Sequence, residues 1–209
     1  KNDKEAFRWY RLAARQGFVC AQYNLGVMFE KGRGAQKNDK EAERWIRLAA
    51  EQGHAKAQDS LGTMLENGQG VQKNVKEAVR WHRLAAEQGN ANAQHNLGVM
   101  FDQGRGVQKN DKEAFRWYRL AAEQGDARAQ CILGLMLQEG RSVQKNDKEA
   151  FMWFRLAAEQ GYAPAQCVLG VMLEEGHGVQ QNDKKVFRWY RLAAEQGEAQ
   201  AQCCLGIML

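Results

Sequence analysis

Apolar residues recur along this 209-residue chain with helical spacing. From Asp3 onward, Ala6, Trp9, Tyr10 and Ala13 fall at i, i+3, i+4 and i+7, the positions that share one helical face, and Phe7 and Ala14 widen that face. A second periodic stretch follows Gly17. At about 100° per residue, its Ala21, Leu25, Met28 and Phe29 fall on one side of a helix, and positions 20, 24 and 27 fall opposite. The pattern predicts two amphipathic helices in alternation, here termed B (the first) and A (the second).

The pair then repeats. The phrase that opens the chain returns at Lys37, Lys73, Lys109, Lys145 and Gln181, and tryptophan keeps a period of 36 residues at Trp9, Trp45, Trp81, Trp117, Trp153 and Trp189. A fixed period in the range of about 20–50 residues marks a solenoid, in which each unit buries its apolar face against the next. Punctuation agrees with this reading. Asn38 is a candidate N-cap with Glu41 three residues on, the spacing of a capping box, and Gly53 suits a helix C-terminus. The last repeat breaks the box with Lys185. The reversal from A to B reads Gly68-Gln69-Gly70-Val71-Gln72, two glycines for a tight turn. Arg141-Ser142 replaces that pattern in the fifth repeat, so a different loop is expected there. A glycine inside every A helix (Gly26, Gly62, Gly98, Gly134, Gly170, Gly206) costs about 1 kcal/mol against alanine. The cost implies close backbone approach to a neighbour, on the tryptophan side of helix B.

These motifs together resemble the Sel-like repeat, a branch of the tetratricopeptide superfamily. The match reads Ala91-Asn92-Ala93-Gln94-His95-Asn96-Leu97-Gly98-Val99-Met100, then Gly104-Arg105-Gly106-Val107, then Ala114-Phe115-Arg116-Trp117-Tyr118-Arg119-Leu120-Ala121-Ala122-Glu123-Gln124-Gly125. It covers the whole chain. In the family's frame, residues 1–209 form a single all-α superhelix of stacked antiparallel helix pairs, a right-handed solenoid. Its repeats are 18–53, 54–89, 90–125, 126–161 and 162–197, with half repeats at 1–17 and 198–209. The resemblance implies a non-enzymatic scaffold or adaptor that binds a protein or peptide, with helix A lining the concave face.

Composition narrows the field. The net charge of +5 is compatible with acidic partners or nucleic acid without selecting either. No apolar run reaches the roughly 18 residues of a membrane span, and no secretory signal is visible. The chain starts without Met and in register, which reads as a piece of a longer protein. Cys131, Cys167 and Cys203 occupy one repeat position, so they are expected about 10 Å apart. A disulfide needs Cα atoms within about 7 Å, so they read as free thiols. Free thiols favour a reducing compartment; the disulfide spacing of cysteine-rich relatives is missing, and export with a removed signal stays open. The four histidines sit at four different repeat positions and offer no metal pattern. Ser60, Thr63 and Ser142 are the only aliphatic hydroxyls, none beside a base in a nucleophile arrangement, and no phosphate-cradling or cofactor motif occurs. The tryptophans read as core packing rather than a stacking ladder.

Positions that vary between repeats carry the candidate site. Position 20 of helix A becomes Lys56, Asn92, Arg128; position 23 becomes Asp59, His95, Cys131, Cys167; position 24 becomes Ser60, Asn96, Ile132, Val168. This stripe is polar early and apolar late. It reads either as a peptide-binding groove or as drift at weakly constrained sites, with Ile132 and Val168 partly buried. Helix B carries a second stripe, Lys40, Arg44, Arg47 and Glu51, repeated down the chain. It reads as a solvated face with i, i+4 pairs, or as the alternative function, contact with nucleic acid or an acidic partner. Unfinished apolar ends at both termini leave head-to-tail self-association open.

Overall fold

A computed structural model describes residues 2–209 and places twelve α-helices and no strand among them. The chain divides into two compact units, 1–109 and 110–209. The first holds α1 (Asp3–Arg15), α2 (Val19–Lys31), α3 (Asp39–Glu51), α4 (Ala55–Asn67), α5 (Val75–Glu87) and α6 (Ala91–Gln103). The second holds α7 (Asp111–Glu123), α8 (Ala127–Glu139), α9 (Asp147–Glu159), α10 (Ala163–Glu175), α11 (Asp183–Glu195) and α12 (Ala199–Met208). Odd-numbered helices are B and even-numbered helices are A. Within each unit every helix packs on the next, the local stacking of an all-α solenoid.

Short polar signals set the ends. The Asn38 side chain accepts from the Glu41 N–H at 3.1 Å, and Asn182 accepts from the Lys185 N–H at 3.0 Å, so losing the glutamate leaves that cap intact. The glutamates do not close a reciprocal capping box. Those at 5, 77 and 149 accept instead from the side-chain amides of Asn2, Asn74 and Asn146. The A helices from α2 to α10 end on a left-handed glycine, such as Gly68 at φ 73°. Where a difference was expected, the fifth repeat keeps the same loop conformation: Ser142 adopts φ 64°, as Gly34, Gly70, Gly106 and Gly178 do at 69–72°.

The helix-A glycines are sockets, and the residue they admit is the one after tryptophan. A Cβ on Gly26 would stand 2.5 Å from Ile46 Cγ1; one on Gly62, 2.7 Å from His82 Nε2; one on Gly134, 2.9 Å from Phe154 Cε1; one on Gly170, 2.6 Å from Tyr190 Cε1. Those four side chains are fully buried, whereas Trp45, Trp81, Trp153 and Trp189 are only half-buried and Trp9 is exposed. These five tryptophans are therefore boundary residues rather than the core centre, whereas Trp117, at 4% exposed, is buried. Arg44, Arg188 and Arg8 lie over the rings of their neighbours Trp45, Trp189 and Trp9 at 5.6–5.8 Å.

A second device locks consecutive helices. The buried Gln58 donates to the Ala50 carbonyl at 3.2 Å and accepts from Gln88 Nε2 at 2.7 Å. Gln22, Gln130 and Gln166 do the same with Ala14 and Gln52, Ala122 and Gln160, Ala158 and Gln196. Each glutamine gives a second donor to a carbonyl in the last turn of one B helix, which also accepts from the glycine N–H that follows the helix, and ties that turn to the next B helix.

Candidate functional site

The A helices present the variable positions, because their fixed alanine, leucine and methionine turn inward. In the first unit Lys56 and Asn92 are exposed, and Asp59, Ser60, His95 and Asn96 are half-buried. Asp59 is not a free carboxylate. His82 Nδ1 lies 2.9 Å from its Oδ1, and Asn96 donates to the same oxygen at 3.1 Å. His82 is fully buried, with its Nε2 3.9 Å from Glu66 Oε1, so two carboxylates of α4 flank one imidazole. Arg105 in turn reaches Glu66 at 3.5 Å. Nearby, the Tyr23 and His54 rings lie 4.9 Å apart. Burial and the charge of Lys56 lower the pKa of His54, whose Nδ1 accepts the Ala57 N–H as an N-cap. This half of the candidate site is a hydrogen-bonded polar surface with a positive edge at Lys56.

The second unit differs. Arg128 is exposed and pairs with Asp126, which also caps α8. Ile132 and Val168 are half-buried and offer apolar surface. Cys131 and Cys167 are 5% and 3% exposed, so these two predicted contact residues form the floor beneath the surface rather than part of it. Helix geometry explains the difference: position 23 borders the apolar face, and on α8 and α10 the next helix covers it. Burial pushes both thiols up to about 11, with Cys204 adding to the shift at Cys167, so neither is a nucleophile at neutral pH. Burial likewise raises the Tyr162 phenol, with the Cys131 thiol adding to it.

Helix B carries its charges in pairs. Arg44 with Glu41, Arg116 with Glu113, Arg119 with Glu123, Arg155 with Glu159 and Arg191 with Glu195 lie within 4 Å. Arg47 bridges Glu43 at 2.6 Å and Glu77 of the next B helix at 3.2 Å. Burial works against its charge, but the hydrogen bonds and charges of both glutamates outweigh that and raise its pKa. Among the described residues no cluster of His, Cys, Asp or Glu could hold a metal ion, and no helix is long and apolar enough to cross a membrane.

Sequence reasoning missed the Gln58-type clasp and the Asp59–His82 contact. The clasp had a signal, since both glutamines recur in every repeat; His82 had only the fact that it stands where Ile46, Tyr118, Phe154 and Tyr190 stand in other repeats.

Comparison with known proteins adds the family. The Sel1 repeat model matches residues 1–18, 21–54, 55–90, 91–126, 127–162 and 163–198. Among solved structures, a protective antigen present in uropathogenic Escherichia coli, displaying an SLR fold, is 39% identical with a TM-score of 0.91. It aligns with 97% of this chain, which spans 43% of that one. A Sel1 repeat protein from Oxalobacter formigenes is 35% identical with a TM-score of 0.85, over 98% of this chain and 87% of its own. An immunity protein from Pseudomonas aeruginosa, 19% identical at a TM-score of 0.59 over 96% of this chain and 77% of its own, shares the fold alone. The comparison with curated proteins gave no match.

Proposed function

Because this chain belongs to the Sel1 repeat family, whose solenoids are generally non-catalytic scaffolds for protein interaction, we propose that it binds a protein or peptide on the A-helix faces. The observation that carries this is the split between fixed and variable positions. Residues that hold the stack recur in every repeat, while Lys56, Asn92 and Arg128 change and stand exposed. Half-buried Ile132 and Val168 provide the apolar anchor that peptide capture needs, and the polar network around Asp59 provides fixed donors and acceptors for orientation. The candidate contact residues are Lys56, Ser60, Asn92, His95 and Asn96 in the first unit, with Asp59 held in place by His82, and, on the A helices of the second unit, Arg128, Ile132 and Val168.

The test is a nuclease-treated pull-down from lysate of the source organism. Wild type is compared with Ile132→Asp/Val168→Asp, and both are first shown to be folded by thermal melting. A protein retained by wild type and lost by the folded variant supports the reading; equal retention overturns it. If the aspartates unfold the second unit, Lys56→Glu/Asn92→Asp tests the same faces at exposed positions.

A further inference from the structure

In the first unit one carboxylate gathers three donors. Glu77 accepts from Arg47 Nη1 of the preceding B helix at 3.2 Å, from the Trp81 indole N–H at 3.3 Å and from the Asn74 amide at 3.2 Å. The arrangement joins α3 to α5. In the second unit the corresponding donors are all present: Arg155 on α9, then Asn182, the N-cap of α11, and Trp189 midway along α11. The carboxylate is not. Lys185 stands in its place.

The substitution changes the local charge by two, and does so where a guanidinium already faces. Arg155 keeps only its own-helix partner Glu159, at 3.6 Å. Arg188 also loses a partner. Its counterparts Arg44 and Arg116 pair with the glutamate three residues before them, and for Arg188 that residue is Lys185. Neither Lys185 nor Arg188 makes an ion pair among the described residues. A cavity of about 640 Å³ opens at this point, lined by Arg155, Glu159, Asn182, Lys185, Arg188 and Trp189, with Phe151, Leu169 and Leu173 beside them. Arg188 lies over the Trp189 ring at 5.6 Å. The aromatic and leucine surface makes room for an apolar group next to the charge.

We propose that this cavity between α9 and α11 is a carboxylate-binding site for an acidic peptide segment of a partner protein. The peptide's Glu or Asp side chain takes the place that Glu77 fills in the first unit. It accepts from Arg155, the Trp189 indole N–H and the Asn182 amide, and neutralises Lys185 and Arg188. An adjacent apolar side chain rests on Trp189 and Phe151. The site lies apart from the A-helix surface proposed above, so either reading stands or falls alone.

The experiment follows the Trp189 indole N–H resonance by NMR, assigned with Trp189→Phe, on the whole chain at constant ionic strength. The probe is acetyl-Glu-Glu-Leu-Glu-amide, with acetyl-Gln-Gln-Leu-Gln-amide as control and inorganic phosphate as a second anion. The expected result is a saturable downfield shift with the acidic peptide, none with the control, and at least about tenfold weaker binding in Lys185→Glu, the scale of losing charge complementarity at one pair. Lys185→Glu installs the residue that five other repeats carry, so it keeps the fold and is expected to raise the melting temperature. No shift with the acidic peptide overturns the proposal, as does equal binding by Lys185→Glu. A phosphate response as strong as the peptide's also overturns it, because the site then reads oxyanions in general.

Discussion

Replacing Gly26 by alanine sets two known effects against each other. In a helix interior, alanine should stabilise by about 1 kcal/mol over glycine. Here the added Cβ would stand 2.5 Å from Ile46 Cγ1, 3.0 Å from the Ala42 carbonyl oxygen and 3.1 Å from the Ile46 nitrogen. The last two atoms belong to the α3 backbone, so a rotamer change at Ile46 cannot relieve the clash; α3 must move away as a body. Overpacking costs about 1–3 kcal/mol, and rigid backbone neighbours put this case at the upper end. The net expectation is a loss of about 2 kcal/mol. With a urea slope of about 2 kcal/mol/M, the first unfolding midpoint seen by circular dichroism falls by about 1 M. Gly206→Ala is the control, since a Cβ there meets nothing within 4 Å, and its midpoint should hold or rise. In an Ile46→Ala background the Gly26→Ala effect should shrink by more than about 1 kcal/mol, the coupling of a contacting pair. An unchanged or raised midpoint for Gly26→Ala alone would refute the socket argument and leave helix propensity in charge.

Other substitutions probe the remaining devices. Gln58→Ala removes two hydrogen bonds, to the Ala50 carbonyl and from Gln88, and should cost about 1–3 kcal/mol in urea unfolding at about 0.5–1.5 kcal/mol each, since Gly53 N–H and the Leu84 carbonyl keep both partners bonded. Ser142→Gly relieves a left-handed non-glycine residue and should raise the stability of the second unit by about 1 kcal/mol, read by the same assay. His54→Asn keeps an N-cap, as Asn90 does, but removes a titrating one. The pKa of His54 is lowered below 6.5 in the fold, so its contribution is complete above about pH 6.5 and is lost as pH falls through the folded value. The melting temperature of wild type should accordingly drop more than that of His54→Asn as the pH is lowered from 7; parallel curves would contradict this.

Most of the fold was legible because the repeat displays each rule six times. The B and A helices, their caps and their glycine stops follow from spacing alone. What was not legible depended on direction. Periodicity places Trp45 and Ile46 on one face, but it does not say which one points into the Gly26 socket; only the packed backbone does, and it selects Ile46. The same limit misplaced Cys131 and Cys167, which sit at the border of the apolar stripe on helices that the next helix covers, whereas Cys203, at the same position on α12, is exposed. Lys56, Asn92 and Arg128, farther around the helix, are exposed as the pattern requires. Ser142 shows a third limit: a turn imposed by its neighbours can hold a serine where glycine is the natural reading.

Departures from the repeat fall into two kinds, and the distinction has physical content. His82 puts a polar ring where Ile46 and Phe154 are apolar, and the chain answers at Nδ1 with Asp59, while Nε2 makes no hydrogen bond and has Glu66 3.9 Å away. Tyr190 does likewise, and its hydroxyl donates to Glu174 at 2.7 Å. Burying a polar group is tolerated when a partner is supplied, and the adjoining A helix supplies one to His82 Nδ1 and one to the Tyr190 hydroxyl. Lys185 has no such answer: it removes a carboxylate, leaves the donors that faced it, and adds a cation beside two guanidiniums. Arg155, Asn182, Lys185 and Arg188 are exposed to water, but they converge on one cavity with an aromatic wall, where a single carboxylate meets them together. The Lys185 departure lies at the exposed edge of that cavity, and the charge it removes is the one the proposed acidic peptide supplies.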